Sequence, residues 1–194
     1  MKHYIYFKRF LDLLLIILFL PLFLFSLAFI SLFYFVFREK NIFFLQERTG
    51  LHGQSFWIYK FRTLGEEGGQ FSLGDFLRKT SLDETPQILN VLKGEMSFVG
   101  PRPLLPEYLP FYRGAELARH QVLPGITGLA QVKGRSKLSW EEKFTYDLEY
   151  VEQVSIFLDA YILLKTCFIV FEKQAIKKGL SQSLLEERKS NINV

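Results

Sequence analysis

Residues 78 to 103 read RKTSLDETPQILNVLKGEMSFVGPRP, with Asp83 and Glu84 side by side ahead of Pro86 and an apolar run. Paired acids at a helix start can serve two ends. The string Ser81-Leu82-Asp83-Glu84 fits a capping box, with Ser81 as N-cap and Glu84 as its third helical residue. Proline is most at home at the first helical position, so Pro86 offers a second arrangement, in which Thr85 is the cap and both acids stand just outside the helix. Either way the acids lie near a positive helix end, which keeps a carboxylate ionised and also attracts phosphate. Taken alone, the stretch favours the cap.

Cations widen the choice. Lys60 and Arg62 lie in YKFRT, Arg78 and Lys79 precede the acids, Arg102 stands between two prolines, and Arg135 ends QVKGR. Any one of them is an ordinary surface charge. Together they would suit a diphosphate, the planar guanidinium groups giving bidentate contacts. An acid among them could hold magnesium against that diphosphate, or attack phosphorus directly to form an acyl phosphate. Gly-x-Gly-x-x-Gly, the phosphate loop of NTPases, His-Glu-x-x-His and Gly-x-Ser-x-Gly do not occur, so hydride transfer, NTPase and zinc protease chemistry drop out. A glycosidase needs its carboxylates at least ~5 Å apart across a sugar bond, which adjacent residues seldom provide.

The elements that must position these residues begin with a membrane segment. The chain has 194 residues, room for one cored domain and something small. Its net charge is +4 and its pI about 9.1, yet 49% of residues are hydrophobic and 21 are Phe. That balance points to a lipid bilayer and to anionic lipids or phosphorylated substrates, with no nucleic-acid partner. Cys167 is the only cysteine, so no intramolecular disulfide forms and a reducing compartment fits. From Leu13 to Phe37 the chain runs 25 residues without a charge, enough for a helix to span a bilayer. Two features point instead to a re-entrant helix. Pro21 breaks the run, and basic residues flank both ends: Lys2, Lys8 and Arg9 before it, Arg38, Lys40 and Arg48 after it. Ser26 and Asp12 are candidates to satisfy the freed backbone groups.

Beyond Arg38 the pattern turns mixed, giving an expected division into a re-entrant helix over 1–38, a cytosolic catalytic domain over 39–180 and a disordered tail over 181–194. FFLQERTGLHGQSFWIYKFRTL reads as two strands around the turn Gly50 to Gly53. SLGDFLRKTSL and PQILNVLKG read as short helices, the second closed by Gly94. The proline-rich stretch from Pro101 to Pro110 predicts an extended path, and PGITGLAQVKGR predicts turn, strand, turn. Ser139-Trp140-Glu141-Glu142 is another capping box, with Trp140, Phe144, Leu148 and Val151 on one helical face, and Asp147 and Glu149 read as solvated surface. The run from Ile156 to Phe171 is apolar but holds Asp159 and Lys165, and predicts a helix packed on the domain or grazing the membrane. The fold class is α+β and mostly helical, with a re-entrant membrane helix and a compact helical domain bearing a small β-hairpin.

The ordered blocks YKFRT, SLDETPQILNVLKGEMSFVGPRPLLPEYLPFY, RHQVLPGITGLAQVKGR and SWEEKFTYDLEYV, behind a basic and apolar N-terminus, resemble the small bacterial monotopic phosphoglycosyl transferases. The PRPLLPEYLPFY block is most similar to bacillosamine-type members. The resemblance implies transfer of a phosphosugar, N-acetylated as in diacetylbacillosamine phosphate, from a UDP-sugar to undecaprenyl phosphate, with release of UMP. It implies Asp83 as the nucleophile of a covalent phosphosugar intermediate, Glu84 as base or second acid, and Mg2+ between Asp83 and the diphosphate. Lys60, Arg62, Arg78, Arg102 and Arg135 are implied as phosphate or nucleotide ligands, with Asp159, Gln87 and Pro21 in support. The implied location is the cytoplasmic face of a bacterial inner membrane, with downstream glycosyltransferases as further partners. Departures are a first membrane arm about one turn short, Leu20 in place of serine before Pro21, Leu64 where methionine is common, and a short GEEGGQFSLG loop. The competing expectations are a non-catalytic adaptor whose basic face binds anionic lipid, and a family member that passes hexose-1-phosphate.

Overall fold

A computed structural model describes residues 2–36, 42–64, 72–134 and 137–171. Helices dominate, and the strands form two small two-stranded sheets, so the class is α+β and mostly helical as expected. The tail over 181–194 and Arg135 lie outside the described residues. Two compact units can be distinguished. One comprises Lys2–Gln46 with Trp57–Met96, and the other Glu47–Phe56 with the chain from Ser97 onward.

The first unit opens with helix α1, Lys2–Val36, which carries Pro21 inside it. Asp12, Ile16, Phe23, Ile30 and Tyr34 are buried along it, at steps of four and seven residues that hold one helical face. Ile17, Leu18, Leu22, Phe25, Phe29, Leu32 and Phe35 are exposed. Tyr6–Phe35 is long and apolar enough to cross a membrane. Proline lacks an N–H, so Pro21 frees the Ile17 carbonyl, whereas the Ser26 hydroxyl donates to the Phe23 carbonyl at 2.8 Å. Near its start the Arg9 guanidinium donates to the carbonyls of Val91 and Leu92, the latter at 2.8 Å. Near its end the Tyr34 hydroxyl donates to the Arg62 carbonyl.

Strands β1, Phe43–Thr49, and β2, Ser55–Phe61, pair as expected, with the Gly50 N–H donating to the Gln54 carbonyl at 2.7 Å in the turn. The amphipathic helix α2, Ser72–Thr80, and helix α3, Ile88–Lys93, also form as expected. Gly94 ends α3 with φ +82°, a conformation that suits glycine. Ile30, Tyr34, Phe61 and Leu77 make the core of this unit. Phe43 stacks on Phe61 with centroids 5.6 Å apart.

In the second unit β3, Ser97–Val99, and β4, Gly125–Thr127, run parallel, Ser97 opposite Gly125 and Val99 opposite Thr127. Their crossing is very close. A Cβ on Gly125 would lie 2.1 Å from the Gly100 nitrogen, and one on Gly128 would lie 2.2 Å from the Gly100 carbonyl oxygen. Two stretches depart from expectation. Pro106–Phe111 coils into a 3-10 helix, since proline is tolerated in a first turn, and Leu129–Lys133 forms helix α4 where the sequence suggested a turn. Helix α5, Trp140–Gln153, carries the expected box, with the Ser139 Oγ accepting from the Glu142 N–H at 3.2 Å and Glu142 Oε2 accepting from the Ser139 N–H at 2.8 Å. Asp147 corrects the expectation of a solvated acid. It is 4% exposed, on the buried face with Trp140, Phe144 and Val151. Helix α6, Ile156–Phe171, buries Asp159 and Ile162 and exposes Phe157, Leu164 and Phe168.

Candidate active site

Asp83 and Glu84 lie within a 3-10 segment, Leu82–Gln87, and the anticipated caps are not formed. Ser81 takes a left-handed conformation, φ 59° and ψ 17°, and its side chain makes no capping bond, so the box is absent. The alternative fails as well. The Thr85 hydroxyl donates back to the Leu82 carbonyl at 2.5 Å, and the N-cap of α3 is Gln87. Pro86 and Gln87 are buried, while both acids are partly exposed.

Lys60 and Glu84, nominated separately from the sequence, are brought together. Lys60 Nζ lies 2.8 Å from Glu84 Oε1, with side chains only 15% and 13% exposed. Asn90, which sequence reasoning missed, holds the strand just ahead of Lys60. Its side-chain amide donates to the Trp57 carbonyl and to Glu95 Oε2, each at 2.7 Å, and its Oδ1 accepts from the Tyr59 N–H at 3.2 Å. Helix α3 and strand β2 are thereby tied on both sides of Ile58, two residues before Lys60. Arg62 follows at the end of β2, with its N–H donating to the Ile42 carbonyl at 2.8 Å and its carbonyl held by Tyr34. Arg78 pairs with Asp75 one turn earlier on α2. Pro21 lies inside α1.

Arg102 and Asp159 belong to the second unit. The Arg102 side chain is exposed between two buried prolines. The Arg102 carbonyl and the backbone on either side of it are held. The Tyr150 hydroxyl reaches the Val99 carbonyl at 3.2 Å, the Gly125 N–H donates to the Pro101 carbonyl at 3.0 Å, and Arg119 Nη2 donates to the Arg102 carbonyl at 2.6 Å. Arg48 Nη1 donates to the Pro103 carbonyl at 3.3 Å, and the Thr49 N–H to the Leu104 carbonyl at 2.9 Å. Asp159 supports this frame from α6, its Oδ1 accepting from the Tyr150 hydroxyl at 2.7 Å.

Arg119 and Asp147, also missed from the sequence, form a buried pair. Asp147 Oδ2 lies 2.9 Å from Arg119 Nε and 2.8 Å from Nη2, and Nη1 donates to the Tyr112 hydroxyl at 3.1 Å. Burial opposes the Arg119 charge, but Asp147 and its hydrogen bonds more than offset this, so its pKa is raised and the guanidinium stays charged. Burial likewise pushes the Tyr112 phenol up. Burial, and then the Arg119 charge, lower the pKa of His120 to about 4. The signal that could have found Asp147 was present: it falls seven residues after Trp140 and three after Phe144, on the apolar face of α5.

The model of bacterial sugar transferases matches residues 3–173 of this chain. An uncharacterized sugar transferase of Bacillus subtilis, EpsL, is 47% identical over 153 residues, covering 73% of this chain and 74% of that protein. The exopolysaccharide production protein ExoY of Rhizobium meliloti is 35% identical over 180 residues, covering 78% and 77%. The UDP-glucose:undecaprenyl-phosphate glucose-1-phosphate transferase of Xanthomonas campestris is 39% identical over 147 residues, covering 64% of this chain and 30% of that larger protein. The chain belongs to the bacterial sugar transferase family, and is a transferase that moves sugar phosphate.

Proposed function

We propose that the protein transfers a phosphosugar from a UDP-sugar to undecaprenyl phosphate in two displacements, with Asp83 as nucleophile. The observation that carries this is the turn at Asp83-Glu84. Its acids do not make the capping box that was their bland explanation, and Glu84 is committed to Lys60. Adjacent carboxylates can take different tasks, and the Lys60 partner gives Glu84 a role of its own beside Asp83. An Asp83 oxygen attacks the phosphorus next to the sugar, the bond from that phosphorus to the bridging oxygen breaks, and UMP leaves with the electron pair. An oxygen of undecaprenyl phosphate then attacks the same phosphorus, and Asp83 departs as carboxylate. Glu84, held by Lys60, serves as base or second acid, while Arg62, Arg78, Arg102 and Arg135 supply cations for phosphate.

Among the described residues no group of three or more His, Cys, Asp or Glu could hold a metal ion. Mg2+ is commonly held by one or two carboxylates together with substrate phosphates, so it needs no such group from the protein. Asp83 is the residue that would hold it, and the ion would neutralise charge on the diphosphate.

A re-entrant α1 belongs to this proposal. Arg9 and Tyr34, at opposite ends of the helix, both bond to carbonyls of one compact unit. A straight span would carry one end about 37 Å from the other at 1.5 Å per residue, away from the unit that holds its partner. This supports both ends on one face of the membrane, and the basic flanks Lys2, Lys8, Arg9, Arg38, Lys40 and Arg48 support the cytoplasmic face of the inner membrane for the catalytic domain. For the donor, the PRPLLPEYLPFY block supports an N-acetylated sugar such as diacetylbacillosamine. The glucose-1-phosphate named for the Xanthomonas relative supports hexose as a second reading.

The test is a UDP-sugar panel with undecaprenyl phosphate and UMP detection, followed by exchange of labelled UMP into the active donor without lipid acceptor. Wild-type protein should exchange, and Asp83→Asn should fold but lose exchange. Exchange by Asp83→Asn, or a strict need for the lipid, would refute the covalent step. Release of no UMP from any donor would leave the non-catalytic lipid-binding adaptor.

A further inference from the structure

The buried Arg119–Asp147 pair does more than the fold needs. A buried ion pair is weak support for stability, because its desolvation offsets much of its attraction and apolar residues of similar volume often do as well. Its geometry is specific, however. The guanidinium fork is planar and rigid, and three of its nitrogens are assigned: Nε and Nη2 to Asp147, Nη1 to Tyr112, and Nη2 also to the Arg102 carbonyl at 2.6 Å. Asp147 stands on α5, whose start is fixed by the Ser139 box. The fork therefore carries the position of a long helix to one backbone oxygen, that of the only exposed residue in Pro101-Arg102-Pro103. Tyr112 and Phe144 close over the guanidinium, at 5.8 and 5.9 Å from their ring centroids.

We infer that Arg119 is a positioning residue for Arg102: its fork, fixed by Asp147 and Tyr112, sets the Arg102 backbone so that the exposed guanidinium meets phosphate. The inference rests on the proposed transfer from a UDP-sugar. It differs from a purely structural role in predicting that Arg119 acts through Arg102. Displacing a charge-stabilising group by about 1 Å can lower a rate on the order of 100-fold.

Two variants test it. Arg119→Lys keeps the charge but loses the fork. Arg119→Met with Asp147→Leu replaces the pair by apolar side chains and removes the donor to the Arg102 carbonyl, and keeps the test open if the lysine variant does not fold. Each is made in wild-type and Arg102→Ala full-length protein in lipid nanodiscs. The readouts are the thermal midpoint and kcat/KM for UMP release at fixed undecaprenyl phosphate. With Arg102 present, either folded variant should lose about 10- to 100-fold in kcat/KM. In the Arg102→Ala background the same change should cost less than about threefold, because nothing remains to position. Equal losses in both backgrounds, or full activity of the folded apolar pair, would overturn the inference while leaving the transfer intact. Absence of UMP release from wild type would overturn the assigned chemistry and this inference together, whereas full activity of Arg102→Ala would overturn this inference and the phosphate role of Arg102 while leaving the transfer intact.

Discussion

Replacing Lys60 by methionine retains much of the side-chain stem and removes the charge from a pair whose nitrogen and oxygen lie 2.8 Å apart. At an effective dielectric near 20 the gross attraction is 332/(20 × 2.8), about 6 kcal/mol. Desolvation of both ions offsets part of this, and at 13–15% exposure the pair is neither fully dry nor surface-like. A net loss of about 2–4 kcal/mol is expected, most of it from leaving Glu84 without its counter-charge in a half-buried turn. For a domain of this size that is a fall of roughly 5–15 °C in the unfolding midpoint. Adding Glu84→Gln should return most of the stability, because neither member of the pair is then charged, but should not restore UMP release. Scanning fluorimetry in nanodiscs and a UMP assay measure the two quantities. If Lys60→Met unfolds at the wild-type temperature, or if the double variant loses the sum of the two single losses, the pair is not coupled as its geometry implies.

Acid should weaken the fold through His120. Its pKa of about 4 lies below the roughly 6.5 of an unfolded histidine, so the unfolded chain binds the extra proton first. The stability is fully present above pH 6.5 and falls by up to about 3 kcal/mol as pH drops towards 4. His120→Phe should keep its ring against Tyr112, now 5.2 Å away, and flatten this slope, and an identical acid profile for wild type and variant would contradict it. Membrane topology can be read with single cysteines at Lys2 and at Phe44 in a Cys167→Ser background. Both should be protected from a periplasmic thiol reagent, and labelling of the Lys2 site from outside would establish a straight span.

Local signals in the sequence were legible where neighbours in the chain decide the outcome. The turn at Gly50 to Gly53, the left-handed Gly94 and the box at Ser139 all depend on residues within a few positions, and each formed as read. The box at Ser81 carried the same signature and did not form. Its residues answer to distant partners: Glu84 to Lys60, 24 positions earlier, across a strand pinned by Asn90. Asp147 was misread for the same reason. A charge on a helix is read as solvated unless a partner is in view, and Arg119 is 28 positions away. The site was therefore legible as a set of residue types, while the pairings that give those residues different roles are tertiary and have no signature in the linear chain.

The capture of the Val99 carbonyl and of the four carbonyls from Pro101 to Leu104 also has a thermodynamic consequence. Fixing one residue's backbone costs about 1–2 kcal/mol in conformational entropy, and a loop that closes on its ligand loses that freedom at the moment of binding. Here the backbone freedom is surrendered during folding. When Arg102 engages a phosphate it has only side-chain rotamers left to lose, about 2 kcal/mol at most. Calorimetry of a UDP-sugar or of UMP should therefore show no large entropic penalty from this segment. The binding step should also proceed without a slow loop-ordering phase.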